Sequence, residues 1–127
     1  MSPEKAAELR KRFPFVESTC KLNFGDGWFR MLAGMCGALE TQRVSGLRIH
    51  VMEKRKYGVL YVEYVTDGNA PSADRIIAVS ERNSLMWCEV CGAKCRKLAI
   101  PIHCYQSAIS RVCDACWELE ICRKMYR

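Results

Sequence analysis

The chain has 127 residues, half of them apolar or aromatic and 27% charged, enough for one domain with a modest core of its own. Its formal charge of +6 is a mild basic excess, short of what a dedicated nucleic-acid binder carries. No stretch approaches the ~18 apolar residues of a membrane span, and "MSPEKAAELRKRFPF" lacks the apolar core of a secretory signal, so a soluble cytoplasmic protein is expected.

Ser2 and Pro3 ahead of "EKAAELRKRF" announce a helix, with Ser2 as N-cap and Pro3 at the first helical position, and Pro14 stops it. "VESTCKLNFGDG" reads as irregular chain. "DGWFRMLAGMCGALETQ" is the clearest helix, because Trp28, Phe29, Leu32, Met35, Cys36 and Leu39 recur at spacings of three and four. Asp26 is its expected cap, and Gly34 and Gly37 are expected to permit close packing against a sheet.

The period then changes to two. Leu47, Ile49 and Val51 alternate with Arg48, His50 and Met52, which predicts a half-buried strand with the first set facing inward. "EKRKYG" is a charged turn and "VLYVEYV" a second strand, so the pair forms an antiparallel hairpin. Beyond Pro71, "SADRIIAVSERNSLM" predicts a third helix, capped by Ser72, with Ile76, Ile77, Val79 and Leu85 on its apolar side. A short hairpin is expected between residues 93 and 112, around "KLAIPIHCY", and "WELEICRKMYR" reads as a closing helix.

The chain holds nine cysteines. Disulfides are rare in the cytosol, so paired cysteines there more often hold metal or perform redox chemistry. Cys88-x-x-Cys91 and Cys113-x-x-Cys116 stand 21 residues apart, the form of a zinc ribbon. A two-residue gap lets one tight turn aim two sulfurs at one ion, and two such turns complete a tetrahedron. Gly92 follows the first pair, where the lack of a Cβ lets backbone N–H groups approach a thiolate. One structural Zn²⁺ held by Cys88, Cys91, Cys113 and Cys116 is therefore expected. Four thiolates close the shell, whereas a catalytic zinc keeps an open position. A ligand set drawing on Cys95, His103 or Cys104 stays open as the alternative. Cys20, Cys36 and Cys122 have no second pair and read as inert thiols.

No carboxylate pair, nucleophile–histidine arrangement or phosphate-binding glycine loop emerges; "GDGW" lacks the lysine and the length of a P-loop. A non-enzymatic protein without a small-molecule substrate is expected. The best surface lead is the hairpin, where Arg48 and His50 point off one face and Lys54, Arg55, Lys56 and Tyr57 gather at the tip. A basic turn with an aromatic could contact phosphate and stack on a base, or could meet a protein. Residues 94–127 are the most basic part, with seven Lys and Arg against three Asp and Glu. Lys94, Arg96, Lys97 and Arg111 would screen the thiolates.

The segments "GDGWFRMLAGMC", "EKRKYGVLYVEYV", "RNSLMWCEVCGAKCR" and "RVCDAC" resemble a group of small proteins of bacteriophages and prophages. Those proteins carry a GxGW helix, a hairpin of the EKxGxLxxY type and two cysteine knuckles. The resemblance covers about residues 23–117, with Arg55 and Lys56 inserted before Tyr57 and Gly58, and it implies phage origin and zinc without naming a task. The fold expected is α+β, with helices packed on an antiparallel hairpin. Residues 1–86 would form that unit and residues 87–127 a zinc-ribbon tail packed on it. Two functions are carried forward. One is a phage or prophage accessory protein, in the host cytoplasm, that binds and modulates a host protein complex. The other is a nucleic-acid-binding ribbon module.

Overall fold

The computed structural model describes residues 1–55 and 58–92, together with the backbone of residues 103–105 and 108–110. Three helices and an antiparallel hairpin make an α+β fold. Helix α1 spans Pro3–Arg12, where Ser2 Oγ accepts the Lys5 N–H at 3.3 Å and Pro3 opens the first turn, as the sequence predicts. Glu4 in its first turn and Arg10, Lys11 and Arg12 in its last complement the helix dipole.

Helix α2 spans Phe29–Thr41 and follows a single 3₁₀ turn, Asp26–Trp28. Its predicted stripe is intact: Trp28, Phe29, Leu32, Met35, Cys36 and Leu39 are all buried. Fully burying a leucine such as Leu32 or Leu39 stabilises the fold by about 1.5–3 kcal/mol, so this stripe anchors the core. Two details differ from expectation. Asp26 does not cap α2; its Oδ1 accepts the Ser2 N–H at 2.7 Å and ties the two helix starts together. Among the described residues Gly34 and Gly37 do not mark a close approach, because a Cβ at either would meet nothing there within 4 Å.

Strands β1, Arg48–Lys54, and β2, Leu60–Val65, pair antiparallel, with Met52 opposite Val62 and Lys54 opposite Leu60. The register shifts between Ile49 and Val51, a bulge at His50. One extra residue reverses the facing of everything beyond it. Ile49 is buried as expected, but Met52 is fully buried where an outward position was predicted, and Val51 is only half-buried. The alternation Leu47–Ile49–Val51 therefore breaks after its second member.

Both edges of the hairpin are occupied. On the β1 side, the irregular segment after α1 runs alongside: Ile49 N–H donates to Phe15 O at 2.8 Å and Glu17 N–H to Ile49 O at 2.9 Å. Parallel bridges join Val16 to Ile49 and Leu22 to Met52, which places Val16, Cys20, Leu22 and Phe24 in the core. On the β2 side, helix α3, Pro71–Asn83, supplies side chains instead of a strand. Leu60 N–H donates to Ser84 Oγ at 3.0 Å and Val62 N–H to Glu81 Oε2 at 3.0 Å. The Tyr64 hydroxyl bonds Asp74. The inward line of this helix is Ala73, Ile77, Ser80 and, just beyond its end, Ser84. Val79, expected on the apolar side, is 46% exposed. Ala70, with no side-chain bond, is the N-cap, and Pro71 occupies the first turn where Ser72 was expected to cap.

A 3₁₀ turn, Ser84–Met86, carries the chain from α3 into Trp87 and the first cysteine pair. Farther on, β3, His103–Tyr105, and β4, Ala108–Ser110, pair antiparallel between the two cysteine pairs, at the C-terminal end of the stretch where a hairpin was expected. The expected closing helix lies outside the described residues.

Candidate metal centre

The first cysteine pair sits on a tight turn. Cys91 N–H points at Cys88 Sγ with nitrogen and sulfur 3.5 Å apart, and Gly92 N–H donates to Cys88 O at 2.9 Å. Gly92 has φ +79°, a left-handed conformation that a side chain disfavours, and this is what closes the turn. An N–H aimed at sulfur stabilises the thiolate form that zinc requires. Cys88 is buried, Cys91 is exposed, and the two lie near each other. Their donor set and turn fit a thiolate-bound zinc.

Cys113 and Cys116, the other two expected ligands, lie outside the described residues, as do Cys95 and the side chains of His103 and Cys104. Among the described residues no three His, Cys, Asp or Glu side chains gather as a metal site.

What the sequence did not reveal is how the knuckle is held. The loop Gly25–Trp28 receives it. Gly27 N–H donates to Glu89 O at 2.8 Å, Gly25 N–H to Glu89 Oε2 at 3.2 Å, and Trp28 Nε1–H to Trp87 O at 3.1 Å. Gly25 and Gly27 are glycines because the knuckle backbone fills the space a side chain would need. A Cβ on Gly27 would come within 3.0 Å of backbone atoms of Cys88, Glu89 and Gly92, and one on Gly25 would overlap the Glu89 carbonyl. Trp28 is fully buried, its ring centroid 5.2 Å from that of Phe24.

Glu89, inside the knuckle, is only 1% exposed. A carboxylate so buried needs a charge partner and hydrogen bonds. Lys54 Nζ sits 2.9 Å from Glu89 Oε1, and the Gly25 amide serves the other oxygen. The bulge at His50 makes this possible, since it turns Met52 and Lys54 to the inner side. Lys54 was expected at the exposed hairpin tip; its side chain is instead 20% exposed and engaged with the knuckle.

The other hairpin residues stay outside. Arg48 is exposed, and His50 lies 3.8 Å from Glu63. Arg55 Nε bonds Glu53 at 2.6 Å while its guanidinium stacks 3.5 Å above the Tyr61 ring. The Tyr61 hydroxyl donates to Glu63, which raises the phenol pKa. Cations and carboxylates therefore alternate over this face. Lys56 and Tyr57 lie outside the described residues.

Two further cysteines are buried in the core. Burial pushes the Cys36 thiol up to about 12 and also raises that of Cys20, so both are poor nucleophiles and poor metal ligands. No helix among the described residues is long and apolar enough to cross a membrane. Comparison of the chain with protein-family models, with curated proteins and with solved structures found no match.

Proposed function

We propose that this chain is a non-enzymatic zinc-binding accessory protein of a phage or prophage, which binds and modulates a host protein complex in the host cytoplasm. The metal would be one structural Zn²⁺ on Cys88, Cys91, Cys113 and Cys116. The observation that carries this reading is the knuckle itself, with Cys91 N–H aimed at Cys88 Sγ and Gly92 at φ +79°. Phage origin rests on the resemblance alone.

A protein partner is favoured over nucleic acid by the outer face of the hairpin. Arg55 faces Glu53 and His50 faces Glu63, beside the aromatic ring of Tyr61. Carboxylates interleaved with cations repel a phosphate backbone, whereas mixed charge around an aromatic suits a protein surface. Both edges of the hairpin are engaged, so the partner would meet this face rather than add a strand. The nucleic-acid reading draws on the basic excess of residues 94–127.

A mobility-shift assay with mixed DNA and RNA at two salt concentrations, run beside capture from host lysate on the zinc-loaded chain, tests the choice. The expected result is no shift, together with a captured complex that the double variant Arg55→Glu, Lys56→Glu loses while remaining folded. A shift that collapses steeply with salt would favour the nucleic-acid module.

A further inference from the structure

Four groups distant in sequence converge on the segment 87–92: the Gly25 and Gly27 amides, the Trp28 indole and the Lys54 ammonium. None of the four can ligate zinc as placed here, and all are supplied by elements that belong to the apolar core. We infer that the loop Gly25–Trp28 and Lys54 hold the Cys88–Cys91 turn in its metal-binding shape before any metal arrives, with Glu89 as the positioning residue. The inference rests on the zinc reading for its purpose, but not for its geometry.

In many small zinc modules the knuckles form only with metal, because nothing else orders them. Here the turn is fixed from outside. Its backbone is clasped at Trp87 O and Glu89 O, and its only acidic side chain is inserted between Gly25 and Lys54. Trp28 sits beneath it as one of the largest fully buried side chains. The entropy of closing the turn is thus met by folding of the core and not by zinc. Metal would then meet Cys88 and Cys91 as a pair of sulfurs already in place. Groups that orient ligands in this way typically change metal affinity by 10–100-fold when removed.

Hydrogen exchange on the full-length, reduced, chelator-stripped chain reads this directly. The amides of Gly27 and Gly92 should remain protected without metal, alongside those of α2. Gly27→Ala, whose new Cβ meets knuckle backbone, should abolish Gly92 protection and weaken Co²⁺ and Zn²⁺ binding by roughly tenfold or more, with α2 still protected. Glu89→Gln keeps the size and one hydrogen bond, and should show the same effects in smaller degree if Gly27→Ala does not fold. Gly27 and Gly92 exchanging freely in the metal-free chain while α2 stays slow would overturn the inference. So would full metal affinity in either folded variant. Failure of the wild-type chain to bind any zinc is a separate outcome: it removes the zinc reading, while protection at Gly27 and Gly92 would still show the clasp.

Discussion

The indole Nε1 of Trp28 donates to the carbonyl oxygen of Trp87 at 3.1 Å, joining the turn that starts the longest apolar stripe to the residue that opens the cysteine knuckle. Beside it, Lys54 reaches from the end of β1 to the buried carboxylate of Glu89. The two contacts make the knuckle a continuation of the core. Trp87 itself packs partly buried against the core cluster.

The Lys54–Glu89 pair is testable by a double-mutant cycle. Removing one partner of a buried ion pair leaves an uncompensated charge and costs about 3–5 kcal/mol. Lys54→Met should therefore lower the urea midpoint strongly. Lys54→Met combined with Glu89→Gln should lose clearly less than the two single changes together. Simple additivity would show that the pair does not join hairpin to knuckle.

Ser84→Ala probes how α3 closes the sheet edge. The Ser84 hydroxyl accepts the Leu60 N–H and donates its own O–H to Glu81 O at 2.6 Å. Its loss strands a buried backbone donor, at a cost of about 1–3 kcal/mol. Denaturant titration should show this loss, with faster amide exchange at Leu60. An unchanged midpoint would mean that another group satisfies Leu60.

These cases separate what could be read from the sequence from what could not. The α2 stripe was legible because its period is long and uninterrupted, and the hairpin because two β-rich runs flank a charged turn. The facing of β1 beyond Ile49 was not legible, since the bulge at His50 leaves no mark in composition yet reverses Met52 and Lys54. The inward line of α3 was legible at Ile77, with Ile76 partly buried beside it, but not at Ser80 and Ser84, which look solvent-facing; Ser84 is buried as an acceptor for β2, and hydrophobicity cannot register that role. The segment from Val16 to Phe24 pairs by isolated bridges and has no strand period. "GDGW" presents itself in the sequence as the end of irregular chain and the start of a helix. Its glycines answer to a backbone that arrives from residues 88–92, and no local pattern could have announced that.

Gly34→Ala tests whether α2 uses its glycine. Gly34 is exposed, and a Cβ there meets nothing within 4 Å among the described residues. Relieving the helix penalty should stabilise the fold by about 1 kcal/mol. Thermal or urea unfolding would register the gain; a loss would show that α2 requires a glycine at this position.

The Cys36 thiol sets an alkaline dependence. Its pKa in the folded chain is about 12, against an ordinary value of 9.0. The unfolded chain therefore loses this proton first, so stability is fully present below pH 9 and declines as pH rises from there toward 12. Cys36→Ala removes that term. The stability difference between wild type and variant should shrink between neutral pH and pH 10, as measured by urea unfolding at each. A constant difference would show that burial does not hold the thiol neutral.

The proposed zinc site joins the docked Cys88–Cys91 turn to Cys113 and Cys116 through four thiolates. Metal analysis with zinc X-ray absorption on the purified full-length chain tests it most directly. One zinc per chain with a shell of four sulfurs at about 2.3 Å is expected. Absence of zinc, or a shell in which a nitrogen from His103 replaces a sulfur, would contradict it.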